Sequence, residues 1–314
     1  MQQAADNNSG SPVVIVPGNY DGVHRGHQVL IARAREIAQG LQGRTQVLFF
    51  YPHPAALLSP ERAPEPLTTA ARRRSLLLAH GVDEVKVVEF TAEYAAQLPE
   101  EFLDNLLQAG AKGMVVGHDF RFGKRASGTP ALLTAWAKTR GVVAEVVAPV
   151  VDGGLRISSS QVRKALAEGR VEDAAGLMAR VHDVSGTVVV GDQRGRLLGF
   201  PTANLDSDVV LHPADGVYAV VVRRLDQSGP TQLLPAVANL GTRPTFAAGR
   251  SVEVHLLDFQ GSLYGERLRV GFVKRIRGEQ RFADVDALRE QIGRDCVAAR
   301  NALSAVEQGT LAWI

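Results

Sequence analysis

At 314 residues the chain is long for one compact domain and comfortable for two, and it needs no disulfide or metal staple to bury a core. Its 35 basic and 33 acidic residues leave a net charge of +2, too balanced to imply by itself a nucleic-acid or membrane surface but compatible with local basic clefts for phosphorylated ligands. One cysteine, Cys296, rules out an intrachain disulfide and a cysteine-built zinc site. With no apolar run near the roughly 18 residues of a membrane span, the cytoplasm is the expected location.

Residues 1–12 are small and polar and read as a flexible tail rather than a signal peptide. A strand is predicted at Val13–Val16, then a helix over Gly26–Gln39, a strand at Thr45–Phe50 and a helix over Thr68–Ala79. The alternation continues with a strand at Glu84–Phe90, a helix over Pro99–Gln108, a strand at Lys112–Val116, a helix over Gly128–Thr139 and a strand at Val142–Ala148. Such alternation argues an α/β domain with a parallel sheet and ligands at the carboxyl ends of its strands. Helical patterns at Ser158–Glu168 and Val171–Ala179 follow. After Asp183 the pattern changes to short strands at Val184–Val190, Gly216–Arg223, Gln232–Asn239, Ser251–Phe259 and Leu268–Val273, with turn signals between them. These argue an antiparallel barrel or sandwich, closed by a helix over Asp284–Gln308. The domain boundary is placed near residue 183, giving domains over 13–182 and 183–314.

The strongest local signal is GNYDGVHRGH, Gly18–His27, directly after a strand and at a helix start. His24 and His27 stand three apart and share a helical face, and Gly26 removes a side chain where a phosphate must approach. Two imidazoles and the amides of a helix N-terminus can stabilise charge on an α-phosphate during nucleotidyl transfer. A metal-binding pair is the competing account, but no nearby third ligand is evident. Gly117–Lys124 departs from P-loop spacing and lacks its Ser/Thr. Ser158 has the character of a helix N-cap, and Arg72, Arg73 and Arg74 read as a solvated helix face.

In the second half, GDQRGRLLGFPTAN, Gly191–Asn204, combines three glycines (Gly191, Gly195, Gly199) with two arginines in a loop able to wrap phosphates. Thr202 and Asn204 offer hard oxygens of the kind that hold Mg²⁺ jointly with nucleotide phosphates. Taken alone, a glycine-rich hairpin before a proline turn is the simpler account of this loop.

GNYDGVHRGHQ, YPHP at Tyr51–Pro54, GHDFRFGKRASG at Gly117–Gly128 and ISSSQVR at Ile157–Arg163 together resemble the bacterial bifunctional riboflavin kinase/FMN adenylyltransferases, the FAD synthetases. The second half is similar to that family's kinase domain through the glycine-rich loop, GVYAV at Gly216–Val220, ANLGTRPTF at Ala238–Phe246 and EVHLLDFQGSLYG at Glu253–Gly265. The resemblance implies a Rossmann-like nucleotidylyltransferase domain followed by an antiparallel β-barrel riboflavin kinase domain. It implies that the enzyme makes FMN from riboflavin and ATP in the second domain and FAD from FMN and ATP in the first. By the same resemblance His24 and His27 engage ATP phosphates in the first domain, with Gly18, Asn19, Asp21, Gly26, Ser159 and Arg163 binding ATP and His53 and Asp119 lining the cleft. In the kinase, Gly191, Gly195, Arg196, Gly199 and Pro201 bind ATP, Thr202 and Asn204 hold Mg²⁺, and Glu253 is the base.

The chain departs from the family pattern at Pro17, where an apolar residue is usual, at His118, where an acidic one is common, and at Val181-His182 in the linker. The first two bear on ATP affinity, and none removes a catalytic group. Two other classes stay open: a class I aminoacyl-tRNA-synthetase-like enzyme, for which no second signature loop or tRNA-reading domain is visible, and a non-catalytic flavin-binding regulator. The partners expected are small-molecule substrates, with no nucleic acid and no membrane. A homo-oligomer stays open.

Overall fold

The computed structural model describes residues 11–191, 195, 198–226, 232–242 and 250–314. The chain divides into two compact units, one comprising residues up to Glu65 with Ala70–Ile157, the other Pro66–Thr69 with Ser158–Ile314.

The first unit is built on five parallel strands: β1 (Val13–Gly18), β2 (Arg44–Tyr51), β3 (Glu84–Glu89), β4 (Ala111–Gly117) and β5 (Val143–Val147), in the order β3-β2-β1-β4-β5. The central strands are short apolar runs because both their faces are covered. Val13, Ile15, Leu48, Met114 and Val116 pack with Phe102 and Leu103 of α5 (Pro99–Gln108) and with Leu133 and Trp136 of α6 (Pro130–Arg140). α1 (Arg25–Gly40) follows β1, and α3 (Ala70–Ala79) precedes β3, after the short helix α2 (Pro54–Leu58). The other short helix, α4, spans Ala92–Ala96. The strand order reverses between β1 and β4, and in open sheets of this kind the ligand crevice lies beyond the carboxyl ends of the strands at that point. A two-stranded hairpin, β6 (Val151–Asp152) and β7 (Leu155–Arg156), ends the unit.

The second unit is a closed six-stranded antiparallel barrel of β8 (His182–Val189), β9 (Ala203–Ser207), β10 (Gly216–Arg224), β11 (Leu234–Thr242), β12 (Arg250–Leu256) and β13 (Arg267–Arg277), in the order β10-β11-β12-β9-β8-β13. Alternation drives it: Val252, Val254 and Leu256 point inward beside Tyr218, Val220, Leu240, Val270 and Phe272. Helix α9 (Val285–Ser304) is the closing helix, shorter than the pattern predicts because a separate turn, α10 (Gln308–Leu311), follows it. Cys296 and Ala299 of α9 cover Val217, Ala219 and Val237 on the outside of the barrel. Arg277 grips Asp295 of the same helix through Nε at 3.0 Å and Nη2 at 2.8 Å.

Packing places α7 (Ser159–Ala167) and α8 (Val171–Met178) with the barrel, whereas the sequence boundary near residue 183 groups them with the first domain. Their Val162, Leu166, Ala174 and Met178 bury in the same cluster as the barrel interior, together with Leu67 of the excursion Pro66–Thr69.

Candidate active sites

In the first unit the candidate residues collect at the carboxyl ends of the central strands. Gly18 ends β1, and Asn19 to His24 form the loop into α1. This loop is tightly wound: Tyr20 (φ 53°), Gly22 (φ 82°) and Val23 (φ 47°) are left-handed, an uncommon state for the two that are not glycine. Tyr20 is fully buried, and its hydroxyl donates to the Val16 carbonyl at 3.2 Å.

His24 is the N-cap residue of α1 without a side-chain cap bond, and its ring stacks on that of His27 with centroids 3.6 Å apart. Two imidazolium rings that close would repel, which disfavours charge on both at once. Burial first, then the charges of His24 and Arg73, pull the His27 imidazole well below its ordinary range. A Cβ on Gly26 would lie 3.1 Å from the His24 ring, so this glycine makes room for the neighbouring imidazole. That is a more local reason for Gly26 than the phosphate approach expected from the sequence.

Asp21 is buried and paired with Arg73 at 2.7 Å. Here the structure corrects the sequence reading of Arg72, Arg73 and Arg74 as a solvated face: Arg73 is 3% exposed. The signal was present, because Arg73, Leu76 and Leu77 stand at i, i+3 and i+4 on the buried face of α3. His53 caps the short helix α2, its Nδ1 accepting from the Ala55 amide at 3.1 Å, and its Nε2 lies 3.1 Å from the Asn19 carboxamide nitrogen. His27 Nδ1 and Asn19 Oδ1 are buried and have no hydrogen-bond partner among the described residues, which leaves polar atoms of this cleft for a ligand. Asp119, beyond β4, is exposed and bonded to Arg156 of the hairpin at 2.5 Å. Partial burial works upward on its carboxyl, but Arg156 and His118 hold it below the ordinary value.

Ser159 and Arg163 stand half-buried on α7, in the second unit. Ser158 is the N-cap of that helix, its hydroxyl accepting from the Gln161 amide at 3.3 Å.

On the outer face of the barrel, Glu253 of β12 lies across from Asn204 of β9 and Asn239 of β11. Asn204 is 5% exposed and pressed against Gly191, where a Cβ would fall 2.3 Å from the carboxamide. A side chain at 191 would therefore displace Asn204. Gly195 anchors the following turn, its carbonyl accepting from Phe200 N at 2.8 Å, and a Cβ there would lie 3.3 Å from Thr202 Oγ1. Gly199 completes the turn at φ 86°. His255 Nδ1 donates to the Pro201 carbonyl at 2.8 Å and its ring meets Phe200 edge-on. Arg196 lies outside the described residues, as do residues 243–246 of the ANLGTRPTF segment.

A five-stranded parallel sheet with stacked histidines at its switch point, joined in one chain to a closed barrel bearing a carboxylate beside a glycine-lined loop, defines a two-centre protein built for phosphate chemistry. The comparisons make this specific. A riboflavin kinase family model matches residues 178–303 and an FAD synthetase model residues 6–161. The bifunctional riboflavin kinase/FMN adenylyltransferase of Escherichia coli K12 is 41% identical over 290 residues, covering 91% of each chain. That of Bacillus subtilis is 34% identical over 289 residues, covering 90% of each. A crystal structure named as a macrolide-efflux protein from Streptococcus pneumoniae is 33% identical with a TM-score of 0.86, covering 94% of this chain and 96% of its own. Among the described residues of this chain no helix is long and apolar enough to cross a membrane. The chain belongs to the bifunctional riboflavin kinase/FMN adenylyltransferase family.

Proposed function

We propose that the two reactions divide between residues 13–182 and 183–314, with the side chains described above in the roles their positions suit. The chain is a riboflavin kinase and FMN adenylyltransferase: riboflavin and ATP give FMN and ADP, and FMN and ATP give FAD and pyrophosphate.

In the barrel, Glu253 accepts the proton of the riboflavin primary hydroxyl as its oxygen attacks the γ-phosphorus of ATP, and ADP leaves. The Gly191–Asn204 loop, with Gly195, Arg196, Gly199 and Pro201, binds the nucleotide. Thr202 and Asn204 fit Mg²⁺ carried in on ATP, because both offer neutral hard oxygens, that of Asn204 from the position across from Glu253, and leave the remaining ligands to phosphate and water. Bound there, the ion would neutralise charge on the transferring phosphoryl group.

In the parallel-sheet unit, an FMN phosphate oxygen attacks the α-phosphorus of ATP and pyrophosphate leaves. His24, His27 and the first turn of α1 stabilise the charge that develops, while Asn19, Asp21, Gly18 and Gly26 shape the loop around it. Ser159 and Arg163 bind the triphosphate, and His53 and Asp119 line the flavin side. The cytoplasm, with its ATP and reducing conditions, suits this chemistry and a lone cysteine.

The observation that supports the reading best is the stacked His24–His27 pair at the carboxyl end of β1. Incubation of the purified protein with riboflavin, ATP and Mg²⁺, followed by separation of the flavins, tests it. FMN should appear first and FAD after it. Omission of Mg²⁺ should suppress FMN formation, and Thr202→Ala or Asn204→Ala should raise the Mg²⁺ needed. Absence of any flavin product would overturn the reading in favour of a non-catalytic flavin binder.

A further inference from the structure

We propose that Arg73 is the positioning residue of the adenylyl-transfer site: from its buried place on α3 its guanidinium clamps the loop carrying Asn19 and Asp21 and so fixes how His24 and His27 are presented. This rests on the functional reading above and adds to it a residue outside every motif of the sequence.

Geometry carries the assignment. Nη1 donates to the Asn19 carbonyl at 2.8 Å and Nη2 to Asp21 Oδ1 at 2.7 Å, with the guanidinium carbon 5.3 Å from the centroid of the Phe49 ring. A planar fork can hold a backbone oxygen and a carboxylate at once while lying over an aromatic face. The loop it holds is strained at Tyr20 and Val23, and such backbone persists only where its surroundings over-determine it. The Tyr20 hydroxyl bond to Val16 and the Gln28 Nε2 bond to the Val23 carbonyl at 2.9 Å secure the loop from nearby in sequence. Arg73 reaches in from 52 residues beyond Asp21. Releasing that clamp would let the segment between β1 and α1 relax and carry the stacked histidines with it.

The same guanidinium acts on the histidines through its charge. His27 is faced by the stacked His24 ring, by the Tyr20 ring at 5.0 Å and by Arg73 from α3, whose charge Asp21 partly balances. Burial, His24 and Arg73 together keep His27 neutral. A side chain needed only for folding would leave the charge state of His27 alone; Arg73 adds to it, after burial and His24, as well as holding the loop.

Full-length Arg73→Met, Arg73→Lys and the double variant Arg73→Met with Asp21→Asn test this. Three readouts are taken: FAD formation from FMN and ATP with kcat and KM separated, riboflavin phosphorylation in the same sample as a check on folding, and the titration of His27 by NMR of histidine-labelled protein. In the Met variant kcat for FAD should fall by about a hundredfold, the loss expected for misplacing catalytic groups by an ångström. Its kinase activity should persist, and its His27 titration should move up towards the ordinary imidazole range. Lysine, which keeps the charge and one of the contacts, should restore the wild-type titration and much of the rate. Because methionine takes the Arg73 counter-charge away from the buried Asp21 carboxylate, the double variant keeps the test decisive if the single one does not fold: with both charges gone it should fold and still lose FAD formation. FAD formation within about twofold of wild type in either folded variant overturns the clamp. An unmoved His27 titration in Arg73→Met overturns the charge effect. If the wild-type protein makes no FAD, the functional reading itself has failed, and the His27 titration, which needs no turnover, still decides what Arg73 does to its neighbour.

Discussion

Glu253 shows what one side chain must do if the barrel is a kinase. It lies between Asn204 and Asn239 across three strands, on the face opposite the buried Val252 and Val254. Glu253→Gln keeps size and polarity but cannot take a proton, so FMN production should fall by about 10² to 10⁴ while riboflavin and ATP still bind and supplied FMN still becomes FAD. Near-normal turnover would remove Glu253 from the mechanism. A second residue-scale prediction concerns His182, fully buried, with Nε2 donating to the Leu211 carbonyl at 2.9 Å. Burial pushes its imidazole down to about 4, with the Asp183 carboxylate pulling the other way. Because the folded value lies below the unfolded one, the unfolded chain binds the proton more readily. The stability of the neutral ring is therefore whole above pH 6.5 and lost as pH falls towards 4, by about 3 kcal/mol. Urea unfolding measured between pH 7 and 4 should show that decline, and His182→Gln should flatten it; the same slope in both proteins would clear His182. Residues inside motifs could be singled out from the sequence alone. Arg73 was not, because three arginines in a row hide which one faces inward until the register of Leu76 and Leu77 is used.

Elements were legible where periodicity was long. The parallel strands and their covering helices lie within a few residues of their predicted spans, and in the central strands β1, β2 and β4 burial on both faces writes itself as apolar runs. β9 was missed: Ala203–Ser207 is five residues, interrupted by Asn204 and Asp206, and its inward pair Ala203 and Leu205 is too short to register as alternation. The hairpin β6–β7 was missed for the same reason, with two residues in each strand. The allegiance of α7 and α8 to the barrel core is a matter of tertiary packing, which an amphipathic pattern alone does not name. The start of α1 supplies a test of how an element serves the site. Inside a helix, glycine to alanine ordinarily stabilises by about 1 kcal/mol. In Gly26→Ala the new methyl would sit 3.1 Å from the His24 ring, which must then give way. Thermal stability should hold or rise while FAD formation falls by roughly tenfold or more and riboflavin phosphorylation stays as it was. A variant that is stabilised and fully active would show that the stacked arrangement of His24 and His27 has no part in the transfer.

At the scale of the whole chain, the FAD synthetase match over residues 6–161 precedes the riboflavin kinase match over residues 178–303, and FMN is the product of one reaction and the substrate of the other. His27→Ala should stop FAD formation and leave FMN accumulating from riboflavin. Glu253→Gln should do the reverse, failing on riboflavin but converting supplied FMN. If FMN leaves one chain and enters another as an ordinary small ligand, mixing the two full-length variants restores the path from riboflavin to FAD, although neither performs it alone. The time course then carries the information: FAD should appear after a lag while free FMN builds up towards the KM of the adenylyltransferase. The lag should shorten as more of the His27→Ala protein, whose kinase is intact, is added. Adding excess unlabelled FMN to a mixture fed labelled riboflavin should dilute the label in FAD in proportion. A mixture that makes FMN but no FAD, while still adenylylating supplied FMN at high concentration, would mean that FMN released in the mixture does not reach the level the second centre needs. A wild-type chain that yields labelled FAD undiluted by the FMN pool would mean direct transfer within one chain. The expected outcome is the lag with full dilution, because each reaction begins from a soluble, charged substrate and each unit has its own complete hydrophobic core.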